Sequence, residues 1–446
     1  MNKKLLNLNN KRIAMLGLGS ENLALINYLL KKKIKCQISI EDSRTKEQLG
    51  TRFSRLKNRK NISWSLGKAR GESLTGYDVI FRSPGWPIFD KNIQEALKYG
   101  VKLNSAIRLF FDLCPTHNIV GVSGTKGKGT TSALISHILE KGGKKVWFGG
   151  NIGVPVFPFL DRIKKNHWVV LELSSFQLED TTRSPHIAVF TNFYSEHLSA
   201  ADPNNPNYHM SLREYWRSKI NLFRYQKRSD YAVINDRLRN KNFDVCIAKK
   251  IYFKKSSLLT KLPGRHNKEN IAAAVNVAEI IGIKGDAITK AIESFHGLEH
   301  RIERIGEING VEFYDDSFAT TPDAAKTALR SFKKPIILIA GGAEKGNRFD
   351  SLARLAAKKT KFIVLLKGVA TKRLRGELLK AGIRPNKMRY AEDMKKAVTE
   401  ASKRAHKGDV ILMSPACASF GMFNNYKERG DLFKQAVKYK KRQSNK

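Results

Sequence analysis

The chain is 446 residues long, room for about three domains, and with 41% hydrophobic residues it can bury substantial cores. Its 82 Lys+Arg against 40 Asp+Glu leave +42, but the lysines run along the whole length without a recognisable nucleic-acid motif. That surplus points to an anionic substrate or a lysine-rich proteome, and no specific nucleic-acid partner is expected.

No apolar run reaches the roughly 18–20 residues of a membrane span, and the start, Met1-Asn-Lys-Lys-Leu-Leu, lacks the apolar core of a signal peptide. Cys36, Cys114, Cys246 and Cys417 are scattered, which suits reduced thiols and argues against a zinc site. The expected compartment is the cytoplasm.

In chain order, Arg12–Ser20 predicts a strand running into Gly17-x-Gly19, then a helix over Asn22–Leu30 and a strand over Lys35–Ile40. This opens a Rossmann-like unit in which Asn22 stands where the third glycine should be. Asp42 at the second strand end suits a ribose, whereas Ser43 and Arg44 suit a phosphate equally well. A further strand around Tyr77–Phe81 ends in the tight turn Ser83-Pro84-Gly85. The first domain is placed at residues 1–110 and predicted to bind a ligand without phosphoryl chemistry.

The stretch that organises the chain follows: Asn118-Ile119-Val120 as a strand, Gly121-Val-Ser-Gly-Thr-Lys-Gly-Lys128 as a turn, and Ser132–Lys141 as an amphipathic helix. Strand, glycine-rich turn, lysine and helix wrap backbone N–H groups round a phosphate chain and aim a helix N-terminus at it. Lys128 then neutralises the terminal phosphates. Gly124, Thr125, Lys126, Gly127, Lys128, Gly129 and Thr130 are the nucleotide-binding candidates. The pattern is a variant: Val122 occupies the first-glycine position and Gly129 replaces the hydroxyl that normally holds Mg²⁺, leaving Thr130 and Thr131 as the nearest hydroxyls.

Beyond the loop, strands around Val146–Phe148, His167–Leu173 and Ile187–Phe190 end in Gly149-Gly-Asn-Ile-Gly153, Glu172-Leu-Ser-Ser175 and Thr191-Asn192 followed by Glu196-His197. Ligands of open α/β sheets sit at strand carboxyl ends, where these polar residues lie. Asp202–Tyr208 reads as a loop and Ile271–Ile281 as a helix, giving a central domain over 111–298 with a mostly parallel sheet. In the remainder, 299–446, a hairpin turns at Asn309-Gly310. Strands over Pro335–Ala340, Lys361–Leu366 and Asp409–Met413 alternate with helices of the Asp350–Lys358 kind. The fold class is therefore α/β in three domains: Rossmann-like, central P-loop-type ATPase, and a C-terminal Rossmann-like domain.

With these segments in place the chain resembles the Mur ligases of bacterial cell-wall synthesis, nearest to the branch that adds D-glutamate. The residues that carry the likeness span nearly the whole chain: Gly124-Thr-Lys-Gly-Lys128, Gly149–Gly153, Leu171-Glu-Leu-Ser-Ser-Phe-Gln-Leu178, His266-Asn267 with Asn270, His300-Arg301, Asp315-Asp-Ser-Phe-Ala-Thr320 and Ser414-Pro-Ala-Cys-Ala-Ser-Phe420. The resemblance implies that ATP phosphorylates the carboxylate of UDP-N-acetylmuramoyl-L-alanine and that the amine of glutamate attacks the acyl phosphate, in a monomer with no membrane partner.

It also implies the site. Lys128, Lys219, His197 and Glu172 would be catalytic, with Mg²⁺ held by Glu172, His197, Thr130 and a Lys219 carbamylated by CO₂. Asn267, Asn270, Arg301 and Asp316 would contact ATP. Leu18, Ser20, Ser43, Arg44, Ser83 and Gly85 would hold the UDP end, Asn151 and Ser174 would help Glu172 at the metal and bind substrate, and Thr320, Lys345, Ser419 and Phe420 would hold glutamate. Three departures stand out: Gly129, Phe318 in place of an acceptor-contacting lysine, and Ser199 in place of an aspartate. The rival readings are a sister ligase for another amino acid such as L-glutamate, a catalytically silent UDP-substrate-binding homologue, and a salt-sensitive nucleic-acid binder.

Overall fold

A computed structural model describes residues 3–67, 73–198, 206–264, 266–343, 347–419 and 421–444. The chain forms two compact units, Met1–Leu258 with Lys268–Ile292, and Leu259–Asn267 with Glu293–Lys446. The first unit holds two sheets and the second holds one.

The first sheet contains β1 (Arg12–Leu16), β2 (Gln37–Asp42), β3 (Ile62–Leu66), β4 (Val79–Arg82) and β5 (Lys102–Ser105), all parallel in the order β3-β2-β1-β4-β5. The order reverses between β1 and β4, which opens a crevice outside their carboxyl ends. The second sheet contains β6 (Ile119–Ser123), β7 (Val146–Gly150), β8 (Trp168–Glu172), β9 (Ile187–Phe190), β10 (Tyr231–Asn235) and β11 (Lys249–Phe253). Its order is β11-β10-β9-β6-β8-β7, again wholly parallel. Every residue of β6 and β9 is buried, as expected for parallel strands covered on both faces.

These two sheets share one apolar core. Leu25, Tyr28 and Leu29 of the helix Ser20–Lys31 meet Phe110 of the helix Ala106–Leu113 and Phe157 and Phe159 of the turn Phe157–Leu160. Tyr28 lies 5.1 Å from Phe157, and Phe110 lies 6.1 Å from Phe159, centroid to centroid.

The second unit contains β12 (Glu303–Ile308), β13 (Val311–Asp315), β14 (Ile336–Ala340), β15 (Thr360–Leu366), β16 (Met388–Ala391) and β17 (Val410–Met413). Their order is β12-β13-β17-β14-β15-β16, parallel except for the β12–β13 hairpin. That hairpin turns at Asn309-Gly310 as the sequence predicts, with Asn309 at φ 51°.

Asn22 replaces the missing third glycine with hydrogen bonds. Its buried Nδ2 donates to the carbonyls of Leu16 at 3.2 Å, Gly17 at 2.9 Å and Phe81 at 3.3 Å, so one side chain stitches the β1 turn to β4. Asn22→Ala removes a donor from three inward carbonyls, and an undonated buried acceptor costs about 1–3 kcal/mol. We expect a lower thermal midpoint in a melting experiment, with secondary structure at low temperature unchanged.

Candidate active site

The glycine-rich loop leaves β6 and enters the helix Lys128–Lys141, one turn earlier than the apolar pattern suggests. Two glycines are dictated by neighbours as well as by φ. Gly124 (φ 137°) has room for no Cβ, which would fall 2.1 Å from the Thr191 hydroxyl oxygen. Gly127 (φ 82°) would place its Cβ 2.4 Å from Asn270 Oδ1. The loop is braced by Asn192, whose Oδ1 accepts from the Lys126 N–H at 2.8 Å and whose carbonyl accepts from the Thr125 N–H at 2.9 Å. Thr125 in turn shares a hydrogen bond of 3.2 Å with the buried Tyr215 hydroxyl.

Lys219 comes from the helix Leu212–Arg224 and is only 1% exposed. Its Nζ donates to the Gly124 carbonyl at 2.6 Å and lies 4.7 Å from the Tyr215 ring centroid. Burial, reinforced by the Lys128 cation, holds its pKa well below the usual lysine value, against the opposing pull of Glu196 and Glu172. Lys128 Nζ donates to the Thr125 carbonyl at 3.0 Å, folded back over the loop it follows.

Glu172 ends β8 and is also 1% exposed. Its Oε1 accepts from Asn151 Nδ2 at 3.0 Å, while Oε2 is buried and accepts no hydrogen bond from any described residue. An ionised oxygen left bare in a protein interior is costly unless a cation meets it. His197, at φ 61°, lies 3.7 Å from Glu196, which also pairs with Lys126. Burial is the main cause that lowers the His197 pKa; Glu196 opposes it and the nearby Lys128 and Lys126 act with it, which favours the neutral ring. The structure thus gathers Gly124–Lys128, Asn151, Glu172, His197, Lys219 and Asn270 in the first unit.

Of the hydroxyls near Gly129, Thr131 is fully buried and donates to Asn270 Oδ1 at 3.2 Å, so it turns away from the loop mouth. Thr130 remains partly exposed. Ser174 is committed to capping a turn: its hydroxyl accepts from the Gln177 N–H at 3.2 Å.

At the switch point of the first sheet, a cavity of about 510 Å³ is lined by Ser20, Ser43, Arg44, Ser83 and Gly85, among others. Leu18 is fully buried and contributes only backbone: its N–H donates to Asp42 at 2.7 Å and its carbonyl accepts from Arg44 at 3.3 Å and Arg52 at 2.9 Å. Asp42 is therefore occupied with Arg44, at 2.7 Å, and holds that guanidinium in place. Glu21 and Trp86 also line this cavity and are not singled out by the sequence.

In the second unit, Asp316 is buried, accepting from the Ser414 hydroxyl at 2.7 Å and the Ile302 N–H at 3.2 Å. Burial raises its pKa from 3.8 to about 7 despite those hydrogen bonds. Arg301 stacks its guanidinium 3.7 Å above the Phe318 ring, which is 37% exposed and meets Tyr426 edge-on at 4.9 Å. Thr320 is bonded through its N–H to the Phe318 carbonyl at 2.8 Å, and Ser419 is buried beside the Ala343–Ala418 bridge. Asn267 belongs to this unit and donates to the Pro263 carbonyl at 2.7 Å. Lys345, Phe420, Ser199 and the 202–205 part of the expected loop lie outside the described residues.

Arg82 and Arg429 are fully buried arginines that sequence reading passes over, because nothing in their local spacing distinguishes them from surface cations. Arg429 donates to the Ser317 hydroxyl at 3.0 Å, the Ser317 carbonyl at 2.8 Å and the Cys417 carbonyl at 3.1 Å. It locks the Asp315–Ser317 segment against the segment after β17.

Comparison with known proteins agrees with this geometry. Residues 11–105 match the Mur ligase MurD-like N-terminal domain, 122–251 the Mur ligase middle domain, and 300–417 the Mur ligase glutamate ligase domain. The chain belongs to the Mur ligase family. It is 36% identical to the UDP-N-acetylmuramoylalanine--D-glutamate ligase of Acetivibrio thermocellus, over 96% of each chain. It is also 36% identical to the ligase of the same name from Symbiobacterium thermophilum, over 96% of this chain and 98% of that one.

Among solved structures it is similar in fold to UDP-N-acetylmuramate-alanine ligase MurC from Thermotoga maritima, with TM-score 0.55, 18% identity, and coverage of 97% of this chain and 100% of that one. MurF from Acinetobacter baumannii gives TM-score 0.54 at 14% identity, over 96% and 93%.

Two expectations follow. Gly127→Ala forces both a left-handed alanine and a collision with Asn270, and should weaken binding of a non-hydrolysable ATP analogue at least about tenfold by calorimetry. For Asp316 the folded pKa lies above the unfolded one, so its contribution to stability is fully present below pH 3.8 and is lost as pH rises through about 7. The loss is on the order of 4 kcal/mol. Thermal midpoints of Asp316→Asn should therefore fall less than those of the unaltered protein between those pH values.

Proposed function

We propose that this chain is an ATP-dependent ligase that joins D-glutamate to UDP-N-acetylmuramoyl-L-alanine in peptidoglycan precursor synthesis. The observation that carries the reading is the meeting of three things in one place: the glycine-rich loop with Lys128, the bare oxygen of Glu172, and the buried amine of Lys219. The shared name of the relatives at 36% identity supplies the substrates. The reaction is assigned to the cytoplasm, where ATP and UDP-linked donors are met.

The reaction must bring two anions together, so the chain's own charges carry much of the work. The loop N–H groups and the N-terminus of the helix Lys128–Lys141 cradle the ATP phosphates, and Lys128 neutralises charge at the γ-phosphoryl group. That group passes to the alanyl carboxylate, and ADP leaves. The free amine of glutamate then attacks the acyl phosphate, the C–N bond forms, and phosphate departs. Asn151 orients Glu172, and the neutral His197 offers a ring nitrogen to a cation.

Glu172, His197, Thr130 and Lys219 would hold Mg²⁺, which when bound screens the two anions during transfer. The bare Glu172 oxygen fits that role. So does a carbamate on Lys219: a neutral buried amine is the form that adds to CO₂, its nitrogen bonding the carbon and giving up one N–H proton, which leaves an oxygen anion where an uncharged amine stood. The UDP end is assigned to the cavity holding Ser43, Arg44 and Ser83. Thr320 and Ser419, with Lys345 and Phe420, are assigned to the glutamate acceptor.

Phosphate release from ATP and Mg²⁺ with UDP-N-acetylmuramoyl-L-alanine should require D-glutamate, and Lys128→Ala should reduce it by about three orders of magnitude. Release driven equally by L-glutamate would move the acceptor assignment. No release from folded protein with any amino acid would refute the reading.

A further inference from the structure

We propose that Arg82 is a positioning residue that fixes the UDP-side cavity against the loop following Glu172 and so sets the length of donor substrate the enzyme accepts. This rests on the ligase reading above.

Arg82 closes β4 immediately before Ser83, a cavity-lining residue, and is 1% exposed. Its guanidinium divides its hydrogen bonds between two places. Nη1 donates at 2.8 Å to the carbonyl of Trp86, in the cavity wall. Nη2 donates at 2.7 Å to the carbonyl of Phe176, four residues after Glu172. Ion pairs of 3.0 Å to Glu179 and 3.1 Å to Asp180 hold the fork in plane between them. Asp180 is in turn fixed by the Ser105 hydroxyl at 2.9 Å.

The segment it grips leads on to the reaction centre. The Phe176 ring stacks on His209 at 4.7 Å and meets His197 edge-on at 5.1 Å. His209 Nε2 pairs with the Ser175 hydroxyl at 2.9 Å. Two lesser ties run the same way: Gln177 Nε2 donates to Glu21 at 2.6 Å, and Asn207 Nδ2 donates to the Pro84 carbonyl at 2.7 Å. Glu21 and Pro84 both line the cavity.

The two carbonyls that Arg82 bonds come from different segments, one in the cavity wall and one four residues after Glu172, so the side chain ties those two places together. A planar guanidinium presents donors in a fixed fork, so it holds those carbonyls at one separation, which a lysine's point charge cannot do. A donor lacking alanine is shorter by one residue, about 3.5 Å of extended chain. A rigid strut can refuse such a substrate by leaving its carboxylate short of Lys128.

The test compares UDP-N-acetylmuramoyl-L-alanine with UDP-N-acetylmuramate in the full-length enzyme, by kcat/KM and by calorimetric binding. Arg82→Lys should cut the preference for the longer donor at least tenfold and leave the KM for ATP within twofold. Glu179→Gln, which keeps the arginine but frees its fork on one side, should cut it about threefold. An unchanged preference in folded Arg82→Lys overturns the proposal. If that variant does not fold, an unchanged preference in Glu179→Gln does so. Unaltered protein that binds the donors without turnover overturns the ligase reading instead, and the strut is then judged on the binding ratio alone.

Discussion

A single hydrogen bond organises the candidate active site: the buried Lys219 amine donates to the carbonyl of Gly124 at 2.6 Å. It ties the helix Leu212–Arg224 to the point where β6 becomes the glycine-rich loop. Burial and the nearby Lys128 make a second ammonium unfavourable there. Conversion to a carbamate, as proposed, would relieve that conflict by giving Lys128 an anionic neighbour and giving Glu172 a partner in holding a cation. The site's electrostatics thus turn on one buried group gaining a negative charge.

Around that bond the backbone is committed by sterics. Gly124 and Gly127 are closed in by Thr191, Asn192 and Asn270, so the loop can neither gain a side chain nor drift. Asn192 and Tyr215 then brace it by hydrogen bonds from β9's end and from the lysine-bearing helix. The first sheet joins this rigid centre through a common apolar core and through the Arg82 fork. Both its cavity and the catalytic loop lie at strand carboxyl ends, where parallel sheets leave their crevices.

Much of this was legible in the sequence, because buried parallel strands are continuous apolar runs and glycine-rich turns are local. β1, β6, β8, β9, β14 and β17 could be read that way. β3, β5, β11 and β16 could not: each is a sheet edge, where lysines and other polar residues interrupt the apolar pattern. β10, though internal and as long as β6, is not distinguished by the sequence either.

The loop, Glu172 and the cavity turn stand out by local pattern, and Lys219 only through a family likeness, since one lysine among many carries no local mark. Arg82 and Arg429 were invisible for the same reason. Their partners are distant in sequence, and only the fold shows that they are buried. Asn22 was read as a missing glycine, whereas its side chain supplies the bonds that hold the turn.

The most direct test is ¹³C NMR of the protein equilibrated with ¹³C-bicarbonate, comparing it with Lys219→Arg. The account predicts one protein-bound carbamate resonance that the arginine variant lacks, since a guanidinium in that burial cannot add to CO₂. Its absence from folded, nucleotide-binding protein, or its persistence in Lys219→Arg, would contradict the assignment of Lys219 as the group that gains that charge.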